Sequence, residues 1–311
     1  MNRLSKPEYS LEDFFEEMLL GRHNNEKNSF LITRLLSVQP LLVIKEKAYE
    51  NLAGKKELHT TEAHDTIFIP FHVKLDSLIP RTVIIAEMEK VYKSFFVDKP
   101  DSIKIGRKVY DSILQNTEYN LCPYCSHREV KTVDHYLPKS KFISFAVTPL
   151  NLLPCCSDCN KAKLDDYNPF EEKMLIHPYF DDLSSVDWLD CNVKECTWPI
   201  TFSFEVSEDI ADSVIKSRLK YQFKLLGLDK LYADNATREF RKRVKSLVKE
   251  YDSDKSNEAL DFLDDNYESY YYDNANSWQT KMFKALKSSI WFRKEALPKL
   301  KKFYMTNCNM E

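Results

Sequence analysis

Apolar residues recur at helical spacing over much of this chain. Phe14, Phe15, Met18 and Leu19 share one helical side, and Ser10 with Asp13 ahead of them reads as an N-cap pair. Further helices are predicted over Phe30–Leu36, Ala86–Phe96 and Ile105–Leu114. Thr66–His72 and Thr82–Ile85 read as strands, with Pro70 demoting the first to an edge or a loop. Towards the C-terminus, Ile200, Phe202, Phe204 and Val206 alternate with polar residues, the pattern of a half-buried strand. Three helical stripes follow: Ile215, Leu219, Phe223 and Leu226, closed by Gly227 as a C′ residue; Phe240, Val244, Leu247 and Tyr251; and Trp278, Met282, Leu286 and Ile290.

The middle of the chain has a different texture. Val130–His135 and Leu150–Leu153 read as short strands, interrupted by Pro138 and Pro149, and Ser157–Leu164 as the start of a helix. The whole is then mainly α with a small embedded strand–strand–helix unit, α+β overall. It divides into an N-terminal mixed, mostly helical region (1–118), a central module (119–182) and a C-terminal helical domain preceded by a short strand (183–311).

Composition narrows the function. A chain of 311 residues, 43% hydrophobic and 13% aromatic, can bury a sizeable core. The absence of an apolar leader or spanning segment points to the cytoplasm. The glycines are only four, Gly21, Gly54, Gly106 and Gly227, and none are closely spaced, which excludes a P-loop, a dinucleotide fingerprint and a nucleophile elbow. Net charge is −3 but uneven: Lys281–Lys302 holds eight basic residues against Glu295, and Glu250–Asp273 nine acids against Lys255. The basic run reads as either a solvated helix face or a nucleic-acid track. Tyr270, Tyr271 and Tyr272 read as packing residues or as base-stacking groups.

Five of the eight cysteines lie between positions 122 and 159. In a reducing compartment these are metal ligands rather than disulfides, and Cys191, Cys196 and Cys308 are ordinary thiols. Cys122-x-x-Cys125 and Cys156-x-x-Cys159 make two matched knuckles whose four thiolates suit a closed, structural, tetrahedral Zn²⁺ site. Cys155 and Cys159 have three residues between them, which breaks the match. Zinc fixed there also fixes Asn160, so Asp134 and Asn160 can offer hard oxygens to one divalent cation, with His135 placed to deprotonate a water. Lys161 and Lys163 lie where a phosphate would approach. His59, His64 and His72 lack partners for a site and read as surface or packing residues.

Asp134-His135, Asn151 and Cys156-x-x-Cys159-Asn160-x-x-Lys163 together resemble the HNH endonuclease family, in the variant whose last His is Asn. The resemblance covers Cys122 to Lys163 only. It implies a ββα-metal fold that cuts phosphodiester bonds, DNA favoured, with one Mg²⁺ or Mn²⁺. His135 would be the general base, Asp134 and Asn160 the metal ligands, and Asn151 the tie across the loop. Lys139, Lys161 and His177 would contact substrate, His177 having a buried hydrogen-bonded role as its alternative. The longer wording from Asp134 to Ser140, Asn151 to Cys155 and His177 to Asp181 resembles HNH proteins encoded beside an ATPase in Septu-type and retron-linked anti-phage systems. That implies an effector nuclease with an ATPase partner supplied in trans.

Two other functions fit parts of the pattern. His127-Arg128-Glu129 with Pro154-Cys155 resembles a zinc-dependent nucleobase deaminase, although the following cysteine is one residue too far. A non-catalytic zinc module that binds nucleic acid or protein would explain the cysteines but leave Asp134, His135 and Asn160 without a role.

Overall fold

The computed structural model describes residues 3–21, 26–99, 103–195, 199–251 and 256–307. Cys196, Cys308 and, from the acidic run, Asp252, Asp254 and Lys255 lie outside the described residues. The chain is mixed α/β, with small two-stranded sheets among helices. It forms two compact units, Met1–Ser184 and Ser185–Glu311. The first unit therefore joins the two N-terminal segments that the sequence pattern separates at 118/119. No described helix is long and apolar enough to cross a membrane.

In the first unit, α1 (Leu11–Leu20) starts as expected: the Asp13 carboxylate accepts both the main-chain N–H and the hydroxyl of Ser10, each at 2.7 Å. The next helix, α2 (Glu26–Gly54), is far longer than Phe30–Leu36 and runs through Pro40. Proline within a helix costs about 3 kcal/mol. Leu31, Leu35, Val38, Leu42, Tyr49 and Ala53 repeat at helical spacing and are buried, and each large apolar side chain returns roughly 1.5–3 kcal/mol, so burial outweighs the break.

A short antiparallel pair follows, β1 (Thr66–Phe68) with β2 (Thr82–Ile84), in the register Ile67↔Val83. Helix α3 (Ile85–Val91) continues as π-helical turns over Tyr92–Val97, and α4 is Ile105–Gln115. Gly106 marks a close crossing, since a Cβ there would lie 2.4 Å from the Phe95 carbonyl oxygen. Side chains from α1 to α4 share one core with Val133, Ile143 and Leu152 of the central stretch. A single core explains why the two segments form one unit.

The central strands are β3 (Thr132–His135) and β4 (Leu152–Cys155), antiparallel, with Asp134 opposite Leu153 and His135 opposite Leu152. Helix α5 (Ser157–Lys163) follows at once. The second strand begins later than expected because Pro149–Asn151 forms a 3-10 turn that seats the Asn151 side chain in the loop.

The second unit pairs β5 (Leu189–Val193) with β6 (Phe202–Val206). Its helices are α6 (Ser213–Leu225), α7 (Leu228–Glu250), α8 (Ser256–Asp273), α9 (Trp278–Ser288) and α10 (Leu297–Asn307). Gly227 takes the left-handed conformation (φ 59°) that turns α6 into α7. Ile290 leaves the expected stripe: α9 ends at Ser288, and Ile290 is 63% exposed.

Several cations of the basic run are already paired. Lys281 is buried and paired with Asp187, Lys284 reaches the same carboxylate at 3.6 Å, and Lys287 pairs with Asp264. Lys301 Nζ donates to the carbonyls of Tyr251 (2.6 Å) and Val248 (3.2 Å) at the end of α7. Tyr270 stacks on Phe283 as a packing residue, whereas Tyr272 is 88% exposed.

Candidate metal centre

The knuckle around Cys122 and Cys125 is a tight turn, closed by Ser126 N–H on the Cys122 carbonyl (2.8 Å) and Cys122 N–H on the Arg128 carbonyl (2.9 Å). The second knuckle is the first turn of α5, where Cys156 is the N-cap and its Sγ accepts the Cys159 N–H at 3.3 Å. The Sγ atoms of Cys122, Cys125, Cys156 and Cys159 all lie within 4.8 Å of one another, and all four residues are buried. Four convergent thiols form the donor set of a closed structural zinc site, and this group can hold that ion. Main-chain N–H groups already point at Cys156 Sγ and, at 3.5 Å, at Cys125 Sγ, which favours thiolate charge. Hydrogen bonding from Cys125 pulls the Cys122 thiol down from its ordinary range. Cys155 is buried too, but it stands outside the group, and its thiol donates to the Cys156 carbonyl.

Alternation along β3 then sorts the candidate residues. Thr132 and Asp134, two residues apart, share the face towards α5, where Asn160 and Lys163 sit one turn apart. Asn160 Nδ2 donates to Thr132 Oγ1 at 3.0 Å, which leaves the amide oxygen for another partner. Lys163 Nζ donates to the His135 carbonyl at 2.6 Å and pairs with Asp134 Oδ2 at 3.2 Å. That carboxylate oxygen is buried and has no aligned hydrogen-bond donor. Burial pushes the Asp134 carboxyl up from the ordinary range, and the Lys163 ammonium opposes this. Lys163 is only 2% exposed, so its expected place beside an arriving phosphate is not the one it takes.

His135 points from the other side of the strand. Its Nε2 lies 2.9 Å from the Ala146 carbonyl, which can only accept, so Nε2 carries the proton and Nδ1 the lone pair. Burial pushes its imidazole down to about 3, with Lys139 and Lys163 adding to the effect. The ring packs at 4.6 Å against Tyr92, and the Lys139 ammonium lies 5.7 Å from the centroid of the same tyrosine ring. Asp134 and His135 are 5% and 6% exposed, so this form of the site is closed to a phosphodiester.

Asn151 ties the loop as expected. It accepts the Leu137 N–H (2.7 Å) and donates to the carbonyls of Leu137 (2.9 Å) and Phe145 (3.1 Å). His177 sits behind it, 2% exposed, and takes its alternative buried role rather than a substrate contact. The Tyr179 N–H donates to His177 Nδ1 (3.3 Å), so Nε2–H donates to the Tyr49 hydroxyl (3.0 Å), which donates in turn to Asn151 Oδ1 (3.2 Å). Asp181 accepts the His177 main-chain N–H at 2.7 Å. Lys161 is exposed. His64 packs, bonded to Ser144 Oγ at 2.8 Å. Tyr49, Tyr92 and Thr132 are partners that no motif in the sequence singles out.

The chain is 27% identical to Protein ea31 of Escherichia phage lambda over 291 residues, which span 85% of this chain and 89% of that protein. No protein-family model matches the chain, and no solved structure matches it.

Proposed function

We propose that the protein is a metal-dependent endonuclease of the HNH type, with His135 as its general base. The observation that carries this reading is the state of His135. With Nε2 committed to the Ala146 carbonyl, the lone pair on Nδ1 is available to accept a proton. Nδ1 takes the proton of a water as its oxygen bonds to phosphorus and the bond to the leaving oxygen breaks. Asp134 and Asn160 would hold Mg²⁺ or Mn²⁺, which supplies positive charge where negative charge develops on the leaving oxygen. The buried Asp134 Oδ2 and the amide oxygen of Asn160 are hard oxygens of the kind such a cation takes. Lys163 Nζ stands beside that oxygen, so a divalent ion and the ammonium would compete for it. Work is needed to open a site this buried, and an ATP-hydrolysing partner supplied in trans is the source we propose.

Burial of Asp134, His135 and Lys163 favours a second reading, a zinc-stapled scaffold that binds without cutting. The deaminase alternative is weakened by the fourth cysteine, since zinc held by four thiolates keeps no position for a water.

The test incubates the purified chain with plasmid, linear duplex, single-stranded DNA and total RNA, with and without Mg²⁺ or Mn²⁺, comparing parent and His135→Ala. Cutting is expected only with the metal and only in the parent, both chains giving the same circular dichroism. Equal cutting by the variant removes His135 as the base. No cutting by either chain, with ATP and a lysate of the source cell also supplied, leaves the scaffold reading.

A further inference from the structure

The second unit carries a groove of about 830 Å³ that neither the cysteine group nor the β3–β4 hairpin uses. It is formed by α7, α10 and the residues ahead of β6. Ile200, Phe240 and Leu300 give it an apolar floor. Arg238, Arg241 and Lys299 stand exposed around it, and among the described residues none of the three has an ion-pair partner. Among the described residues no carboxylate lines it. At one end Phe303 is 61% exposed, edge-on to Tyr304 at 5.6 Å.

We propose that this groove binds single-stranded nucleic acid, with phosphates on Arg238, Arg241 and Lys299 and a base against Phe303 and Tyr304. A single strand repeats an anionic phosphate and an unpaired apolar ring, which is the combination that this groove offers partners for. A duplex keeps its bases stacked inside and would reach the cations but not the floor. Arg238 and Arg241 are one helical turn apart on α7, so both face the same side. The volume lies within the range of roughly 300–1,000 Å³ that ligand sites occupy. The proposal stands apart from the nuclease reading, because a chain that binds here and cuts nothing still satisfies it.

The experiment measures anisotropy of a fluorescein-labelled oligothymidylate with the full chain and no added divalent cation, so that no cutting intervenes. Phe303→Ala is expected to weaken binding about ten-fold through lost stacking. The triple variant Arg238→Ala, Arg241→Ala, Lys299→Ala is expected to flatten the log–log salt dependence by about 2, from three phosphates at about 0.7 each. All four side chains are exposed, and unchanged melting temperatures will separate lost binding from lost folding. The parent should bind labelled duplex more weakly than the oligothymidylate. Binding of the oligothymidylate that neither variant weakens overturns the proposal. So does polyglutamate that competes as strongly as the oligonucleotide and is lost in Phe303→Ala, which would assign the groove to an acidic peptide.

Discussion

Lys163 Nζ lies 2.6 Å from the main-chain oxygen of His135 and 3.2 Å from Asp134 Oδ2, so one ammonium joins α5 to both neighbouring residues of β3. The side chains of the pair are 1% and 6% exposed. A buried charge whose partner is removed costs about 3–5 kcal/mol. Lys163→Met should therefore destabilise the chain by roughly 3 kcal/mol at pH 8 in urea unfolding. Adding Asp134→Asn should recover most of that loss, since the stranded charge goes with it. Costs that simply add would show that the two groups are not coupled. In the nuclease reading, Mg²⁺ should raise the melting temperature of Lys163→Met more than that of the parent.

The cysteine group makes a prediction about metal content. The parent and Cys155→Ser should each retain zinc after gel filtration, measured by atomic emission, while Cys159→Ser should lose it. Zinc lost from Cys155→Ser and kept by Cys159→Ser would exchange the roles of these residues. Because protons compete with metal for thiolates, zinc should leave as the pH falls, and the chain should become easier to unfold as it does.

His135 should titrate far below an ordinary histidine. Burial holds the folded imidazole near 3, against the ordinary value of 6.5. Between these values the unfolded chain binds the extra proton, so this group's contribution to stability is complete above 6.5 and is lost as the pH falls towards 3. The His135 Cε1–H resonance should stay unmoved down to pH 5. A midpoint near 6.5 in the folded chain would show that burial does not hold the imidazole neutral.

Glu46 has the opposite sign. It lies on α2 with one oxygen on the Leu11 N–H (2.9 Å) and the other buried without a partner. Burial pushes its carboxyl up to about 7, with Glu50 and Asp13 adding. The folded chain binds the extra proton between the ordinary glutamate value of 4.5 and 7, so stability falls as the pH rises through that window. Glu46→Gln keeps an acceptor for Leu11 and removes the charge. It should stabilise the chain at pH 8 by up to roughly 3 kcal/mol and leave it unchanged at pH 4. Equal effects at both values would show that ionisation is not the cause.

Local pattern was enough for some of this. A gap of two residues brings paired sulfurs to one point, and both Cys122 with Cys125 and Cys156 with Cys159 have it. Apolar period marked β6 and most of the helices, although Pro40 hid the length of α2 and the polar residues of β5 hid a strand. Distant partners were not legible. Tyr49 and Tyr92 reach Asn151 and His135 only because α2 and α3 share a core with β3 and β4. Residue type also misled where packing decides. Lysine usually faces water, yet docking α5 on β3 buries whatever stands one turn after Asn160, and an acid opposite makes Lys163 tolerable there. Lys281, Lys287 and Lys301 of the basic run were likewise taken up by Asp187, Asp264 and the last carbonyls of α7. Spacing along a chain can specify which groups lie together over a turn or two. Which face is covered, and by what, depends on contacts between remote segments that only the folded core brings together.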